Sequence, residues 1–273
     1  SAMEELQHLL NLPINQEKEK KSMDIEGNLM IQELSYTYPQ SSSSIKAELL
    51  TFKKGHLTGI TGVSGAGKST LSHLLQRFID PDEGAIFLGS MNLQDLSTDE
   101  VHQHIGSVAS QSHIFEGTIL SNLQIAKDSL TEKEADELLA FVRLPEFQGK
   151  LDMQVLSEGA NLSSGQRQKL AVARMLLKDP EVMIFDEATA NMDSQSEREI
   201  METIASLKER GKTVIVITHH LQNLVLADSI LVMENGVIAE QGTHQALLQK
   251  GGSYAGIWEE QCSLNTLREV LGA

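Results

Sequence analysis

Gly62-Val63-Ser64-Gly65-Ala66-Gly67-Lys68-Ser69 fits the spacing G-x-x-x-x-G-K-[ST], and each residue type in it has a chemical reason. Glycines let a backbone wrap an anion closely, without Cβ atoms in the way. Successive N–H groups and the start of a following helix turn their positive ends toward a phosphate. Lys68 supplies a mobile point charge to β- and γ-phosphates, and the Ser69 hydroxyl is a ligand for Mg2+. Chance produces such a match in about one chain of this length per hundred. A bare Gly-rich turn is therefore the weaker explanation.

A second constellation is Val182-Met183-Ile184-Phe185-Asp186-Glu187, an apolar run ending in two carboxylates. Beside a phosphate loop, a strand-end aspartate holds Mg2+, usually through water, and Asp186 fits that place. Glu187 points elsewhere and can polarise an attacking water as general base. Taken alone, the pair is equally well a strand end meeting solvent. A third group, Leu162-Ser163-Ser164-Gly165-Gln166, is by itself most simply a helix N-cap.

Strands and helices must hold these groups, and the sequence alternates them. Strand-like runs occur at Leu29 to Leu34, Ala47 to Phe52 and His56 to Ile60, with Ser41 to Ser44 as a polar loop. An apolar helix is expected over Ser69 to Phe78, then a turn at Pro81 to Gly84 before Ala85 to Leu88. Thr131 and Glu134 form a capping box opening a helix through Val142, closed before Pro145. A further helix is expected from Ser164 to Leu177, ended by Pro180. Val182 to Phe185 and Thr213 to Ile217 are near-continuous apolar runs, as parallel strands covered on both faces require. Alternation of this kind argues for an α/β sheet domain.

The bulk numbers leave room for that domain and close off other classes. The chain has 273 residues, 40% hydrophobic and only 4% aromatic, so its core is built mainly from Leu, Ile, Val, Ala and Met. Its net charge of −16 and lack of a basic stripe argue against a nucleic-acid partner. Cys262 is the sole cysteine; it forms no internal disulfide and fits a reducing compartment. No run of 18 apolar residues exists. Residues 1–27 are expected to be a tag remnant and linker. Ser1-Ala2 before Met3 looks like a cloning scar, Glu4 to Leu12 has mostly helical apolar spacing, and Gln16 to Ser22 is polar with Lys18, Lys20 and Lys21.

In this order and spacing, Leu162-Ser163-Ser164-Gly165-Gln166-Arg167-Gln168 resembles the LSGGQ signature of the ABC ATPases, and the resemblance extends from about Leu29 to Gln261. It implies a phosphate-loop NTPase core of the RecA-like kind, with an antiparallel β subdomain and an inserted α-helical signature subdomain at about 112–178, within an ATPase domain of 28–273. It implies ATP contacts from Tyr38, which would stack on adenine, from Gly62, Val63, Ser64, Gly65, Ala66, Gly67, Lys68, Ser69 and Thr70, and from Gln111. Ser69, Gln111 and Asp186 would serve Mg2+. Glu187, His219 and Lys68 would be the catalytic set, His219 as the switch histidine at the γ-phosphate. Asp193 would belong to the D-loop. Without the motifs around them, Tyr38 reads as core packing and His219 as structural; His102, His104, His113 and His220 are taken as structural.

Phe115-Glu116-Gly117-Thr118-Ile119 and the stretch from Ala227 through Gly242-Thr243-His244 to Tyr254 resemble exporters rather than importers. The resemblance thus implies a transmembrane domain as partner, at the cytoplasmic face of the cell membrane. A second ABC ATPase domain, identical or not, would present its Ser163–Gln166 motif in trans to the ATP. Three alternatives stand beside this reading: a soluble ABC ATPase of DNA repair or chromosome structure, a stand-alone importer subunit, and a catalytically dead regulatory partner. The first usually has a coiled-coil insertion or zinc cysteines, which this chain lacks. Against the last, Glu187 and His219 are both in place. Departures from the family pattern are Ser164 for a glycine, Ala190 and Asn191 in the D-loop, and Leu156-Ser157 where exporters often have Gly-Glu, with Glu158 shifted by one.

Overall fold

In the computed structural model the described residues are 27–38, 43–190 and 192–271, with side chains described as far as 263. The expected tail and linker before Gly27, together with Pro39 and Asn191, lie outside them. The chain enters through β1 (Leu29–Thr37), β2 (Ser44–Phe52) and β3 (Leu57–Thr61). Helix α1 (Lys68–Leu75) precedes β4 (Glu83–Leu88), β5 (Met91–Asn92), α2 (Thr98–His104) and β6 (Ile105–Ala109). An inserted stretch holds β7 (Gly117–Thr118), α3 (Ile119–Gln124), α4 (Glu132–Phe141), β8 (Gln154–Val155) and α5 (Ser164–Lys178). The sheet resumes with β9 (Val182–Asp186), α6 (Ser194–Glu209), β10 (Thr213–Ile217), β11 (Ser229–Glu234) and β12 (Val237–Gly242). Helices α7 (His244–Lys250) and α8 (Ser253–Leu271) close the described chain.

The main sheet runs β5-β4-β1-β2-β12-β11-β3-β10-β9-β6. Strands β11, β3, β10, β9 and β6 are mutually parallel neighbours. Strands β5, β4, β1 and β2 form an antiparallel wing. This is a RecA-like α/β core with an antiparallel subdomain and an inserted helical one.

Side-chain alternation explains why β9 and β10 read as unbroken apolar runs. Val182, Ile184, Ile215 and Ile217 enter one core, shared with Leu71, Leu74 and Leu75 of α1. Met183, Phe185, Val214 and Val216 enter the other, shared with Leu139, Val172 and Ile204 from helices α4 to α6. Both faces are covered, so neither can be polar. Burying each such side chain contributes about 1.5–3 kcal/mol.

Some boundaries move, for local reasons. Helix α1 stops at Leu75 rather than Phe78 because Arg77 turns left-handed, with φ 56. The Arg77 guanidinium then holds the turn by donating to Asp80 and to the carbonyls of Leu93 and Leu96. Strand β2 begins at Ser44, inside the expected polar loop, because the pairs Tyr36↔Ile45 and Thr37↔Ser44 carry the antiparallel ladder past the apolar pattern. Among the described residues no helix is long and apolar enough to cross a membrane.

Candidate functional site

Four parallel strands end level with one another. Ile60 of β3 pairs with Ile217 of β10, Ile217 with Asp186 of β9, and Asp186 with Ala109 of β6. Just past these ends come the loop 62–67, His219, Glu187 and Gln111. Residues more than 150 positions apart thus share one edge, the carboxyl edge where open parallel sheets bind ligands.

The loop after β3 is a built cradle. Gly62 has φ 139, and a Cβ there would lie 2.2 Å from the Met233 carbonyl oxygen, so a side chain has no room. Lys68 arches back over the loop, and its Nζ donates to the carbonyls of Gly62 at 2.7 Å and Val63 at 3.1 Å. Burial holds the Lys68 ammonium below its ordinary range, while Glu187 and Asp186 pull it back up. Ser69, in the first turn of α1, is exposed. Thr70 bonds the hydroxyl of Tyr38, whose ring meets Tyr36 edge-on.

Asp186 is pushed above the usual carboxylate range by burial, and a hydrogen bond from Ser72 works against the rise. Gln76 Nε2 donates to the same Ser72 oxygen at 3.0 Å, which orients the hydroxyl. Glu187 leaves the strand in a left-handed conformation, φ 51, while its N–H donates to the Ile217 carbonyl at 2.9 Å. That turn separates the two carboxylates. The Glu187 carboxylate then meets His219 Nδ1, 2.9 Å from Oε2 and 3.0 Å from Oε1.

Ser69, Asp186 and Gln111 offer oxygen donors, which suit a hard cation, and the buried Asp186 charge is one that a cation would offset. Among the described residues no three His, Cys, Asp or Glu side chains form a metal cage. A single carboxylate with substrate phosphates is the usual arrangement for Mg2+.

Ser163 caps α5. Its Oγ accepts from the Gln166 N–H at 3.1 Å, and Gln166 Oε1 accepts from the Ser163 N–H at 2.9 Å. Ser164 is helical, with no positive φ, so its backbone N–H keeps its direction without a glycine. Gly165 is required for closeness: an added Cβ would come within 2.6 Å of Ser196 Oγ and 2.8 Å of Ser196 Cβ. A cleft of about 420 Å3 brings Ser164 together with Gln111, Glu158, Arg167 and Ala190. No residue of the 62–69 loop lines it. Asp193 caps α6 by accepting from the N–H groups of Ser196 and Gln195, which holds its carboxyl below the usual range, Ser196 contributing most.

Several residues that hold these groups were given no role in the sequence, Gln168 standing there only at the end of the run that resembles the signature. Gln168 Nε2 donates to the Ala109 carbonyl at 2.7 Å, tying the helix behind Ser163 to the strand before Gln111. Glu197 Oε1 accepts from Asn223 at 2.7 Å and from Thr189 and His220 at 3.2 Å each, joining the loops after β9 and β10. Ser72 and Gln261 complete the set. Each partner is distant in sequence, and no local pattern marks it.

A parallel sheet with a glycine cradle, a lysine and two strand-end carboxylates at its carboxyl edge defines a phosphate-loop nucleotide-binding domain. Residues 46–190 match the ABC transporter family, and the chain belongs to that family as an ATP-binding domain. It is 36% identical to an ABC transporter ATP-binding protein of Haemophilus influenzae, over all of this chain and 50% of that protein. It is 38% identical to the ATP-dependent lipid A-core flippase of Pasteurella multocida, over 86% of this chain and 41% of the flippase. A bacterial Atm1-family ABC exporter with ATP bound superposes with a TM-score of 0.84 at 30% identity, covering 95% of this chain and 46% of the exporter. The chain thus spans half or less of the length of these relatives.

Proposed function

We propose that this domain binds ATP with Mg2+ and hydrolyses it to drive an ABC exporter at the cytoplasmic face of a membrane. The observation that carries the reading is the pairing of His219 with Glu187 on the sheet edge shared with the Lys68 loop. Lys68 and the amides of 62–69 bind the phosphates. Ser69, Asp186 and Gln111 hold Mg2+, which neutralises charge on the phosphates when bound. Glu187 takes the proton of the attacking water at its carboxylate, and His219 orients the γ-phosphate.

The Ser163–Gln166 cap opens a helix N-terminus of the kind that suits an anion, and the cleft that Ser164 lines includes no residue of the 62–69 loop. This favours a second domain of the same kind that brings its cap to the γ-phosphate in trans. The membrane partner is expected in an apolar cleft of about 570 Å3 between the core and the inserted helices, where Phe78, Phe115 and Ile125 are exposed.

Titration with ATP and Mg2+ tests the reading. The wild-type chain should bind and turn over ATP, and Lys68→Ala should lose affinity. Glu187→Gln should keep binding, lose turnover by about 100-fold or more, and run as an ATP-dependent dimer in size exclusion. Binding that survives Lys68→Ala unchanged would sink the proposal.

A further inference from the structure

Gln261, on α8, grips the turn that carries His219. Its Nε2 donates to the His219 carbonyl at 2.6 Å, and its Oε1 accepts from the Leu221 N–H at 3.0 Å. These backbone groups follow the end of β10, where the parallel ladder no longer supplies partners. One side-chain amide therefore pairs with the C=O of one residue and the N–H two residues on, as an adjacent strand would.

The grip is held in place from behind. Ser253 N–H at the start of α8 donates to Glu240 Oε1 at 2.7 Å, and Tyr254 is wholly buried with its hydroxyl 2.8 Å from His244 Nδ1. Gln261 is seven residues beyond Tyr254, on the same helix face. From the other side, His220 Nδ1 meets Glu197 Oε1 at 3.2 Å, and the His220 N–H donates to Thr218 Oγ1 at 3.0 Å. The His219 backbone is thus fixed between α8 and α6, with its ring turned to Glu187.

We infer that Gln261 is a positioning residue for His219, and that α8 is part of the hydrolytic machinery. The inference rests on the hydrolytic role of His219 and Glu187 proposed above. With the amide lost, the carbonyl of His219 has no fixed direction, and the imidazole drifts from Glu187 while the phosphate cradle on β3 is untouched. Turnover should fall without loss of nucleotide affinity.

The test is steady-state ATPase on the full chain with Gln261→Met, which keeps length and helix propensity, and with Gln261→Glu, which keeps only the acceptor for Leu221. Both should lower kcat about tenfold, as a misplaced catalytic group does, with KM within about twofold of wild type. In a His219→Ala background, Gln261→Met should cost nothing further, because the residue acts through that histidine. Wild-type kcat in both variants, or an equal loss with and without His219, would overturn the inference. If Gln261→Met fails to fold, Gln261→Glu carries the same comparison. A wild-type chain with no turnover would sink the hydrolytic reading and this inference together, whereas normal turnover indifferent to Gln261 sinks this inference alone.

Discussion

His219 Nδ1 lies 2.9 Å from Glu187 Oε2, joining two side chains 32 residues apart that leave neighbouring parallel strands. The two side chains therefore form one hydrogen-bonded unit, which the function proposed above uses as general base and γ-phosphate contact. Glu187 N–H bonding to the Ile217 carbonyl sets the distance, since it locks the first residue past β9 onto the end of β10.

Removing the histidine should cost rate rather than affinity. His219→Ala is expected to lower kcat by about 10- to 100-fold, with ATP affinity near wild type, because the cradle lies on β3. Fluorescent-nucleotide binding beside steady-state turnover checks the split. A parallel loss of both would mean that His219 supports the fold of the site.

Asp186→Asn should separate stability from function. Its folded-state pKa is raised by burial, so the ionised carboxylate is disfavoured by folding at neutral pH. The neutral isostere removes that cost, and Tm of the nucleotide-free chain should rise. Mg2+-dependent turnover should disappear. Calorimetry with and without Mg2+-ATP measures both, and a lowered Tm would contradict the assignment.

Gly165→Ala should destabilise the domain by about 1–3 kcal/mol through overpacking, despite the better helix propensity of alanine. The obstacle is Ser196 Cβ as well as its Oγ, so a rotamer change cannot relieve it. Ser196→Gly should rescue the variant, and Ser196→Ala should not. Urea denaturation of the singles and the double measures the coupling.

Acid should release the helix start at Thr131. Glu134 is held down to about 2 by Lys127 first, then by the Thr131 N–H and hydroxyl. A depressed carboxylate stabilises above its ordinary pKa and loses that contribution as pH falls through the folded value. Glu134→Gln should therefore melt below wild type at neutral pH, with the gap closing between about pH 5 and pH 2. Thermal melts across that range give the answer; a constant gap would mean that charge plays no part.

The local chemistry was legible in the sequence wherever neighbours in the chain are neighbours in space. The loop 62–69, the Ser163 and Thr131 caps and the apolar runs of β9 and β10 are short-range patterns, set by backbone geometry and by side chains a few residues apart. Only the tertiary structure decided which loop ends meet. Level registry of β3, β10, β9 and β6 brings Lys68, His219, Glu187 and Gln111 to one edge. Ser72 reaches Asp186, Gln168 reaches Ala109 and Gln261 reaches His219 across 42 to 114 positions. Such bonds follow from strand order and helix docking, and a lone serine or glutamine in a helix carries no trace of them.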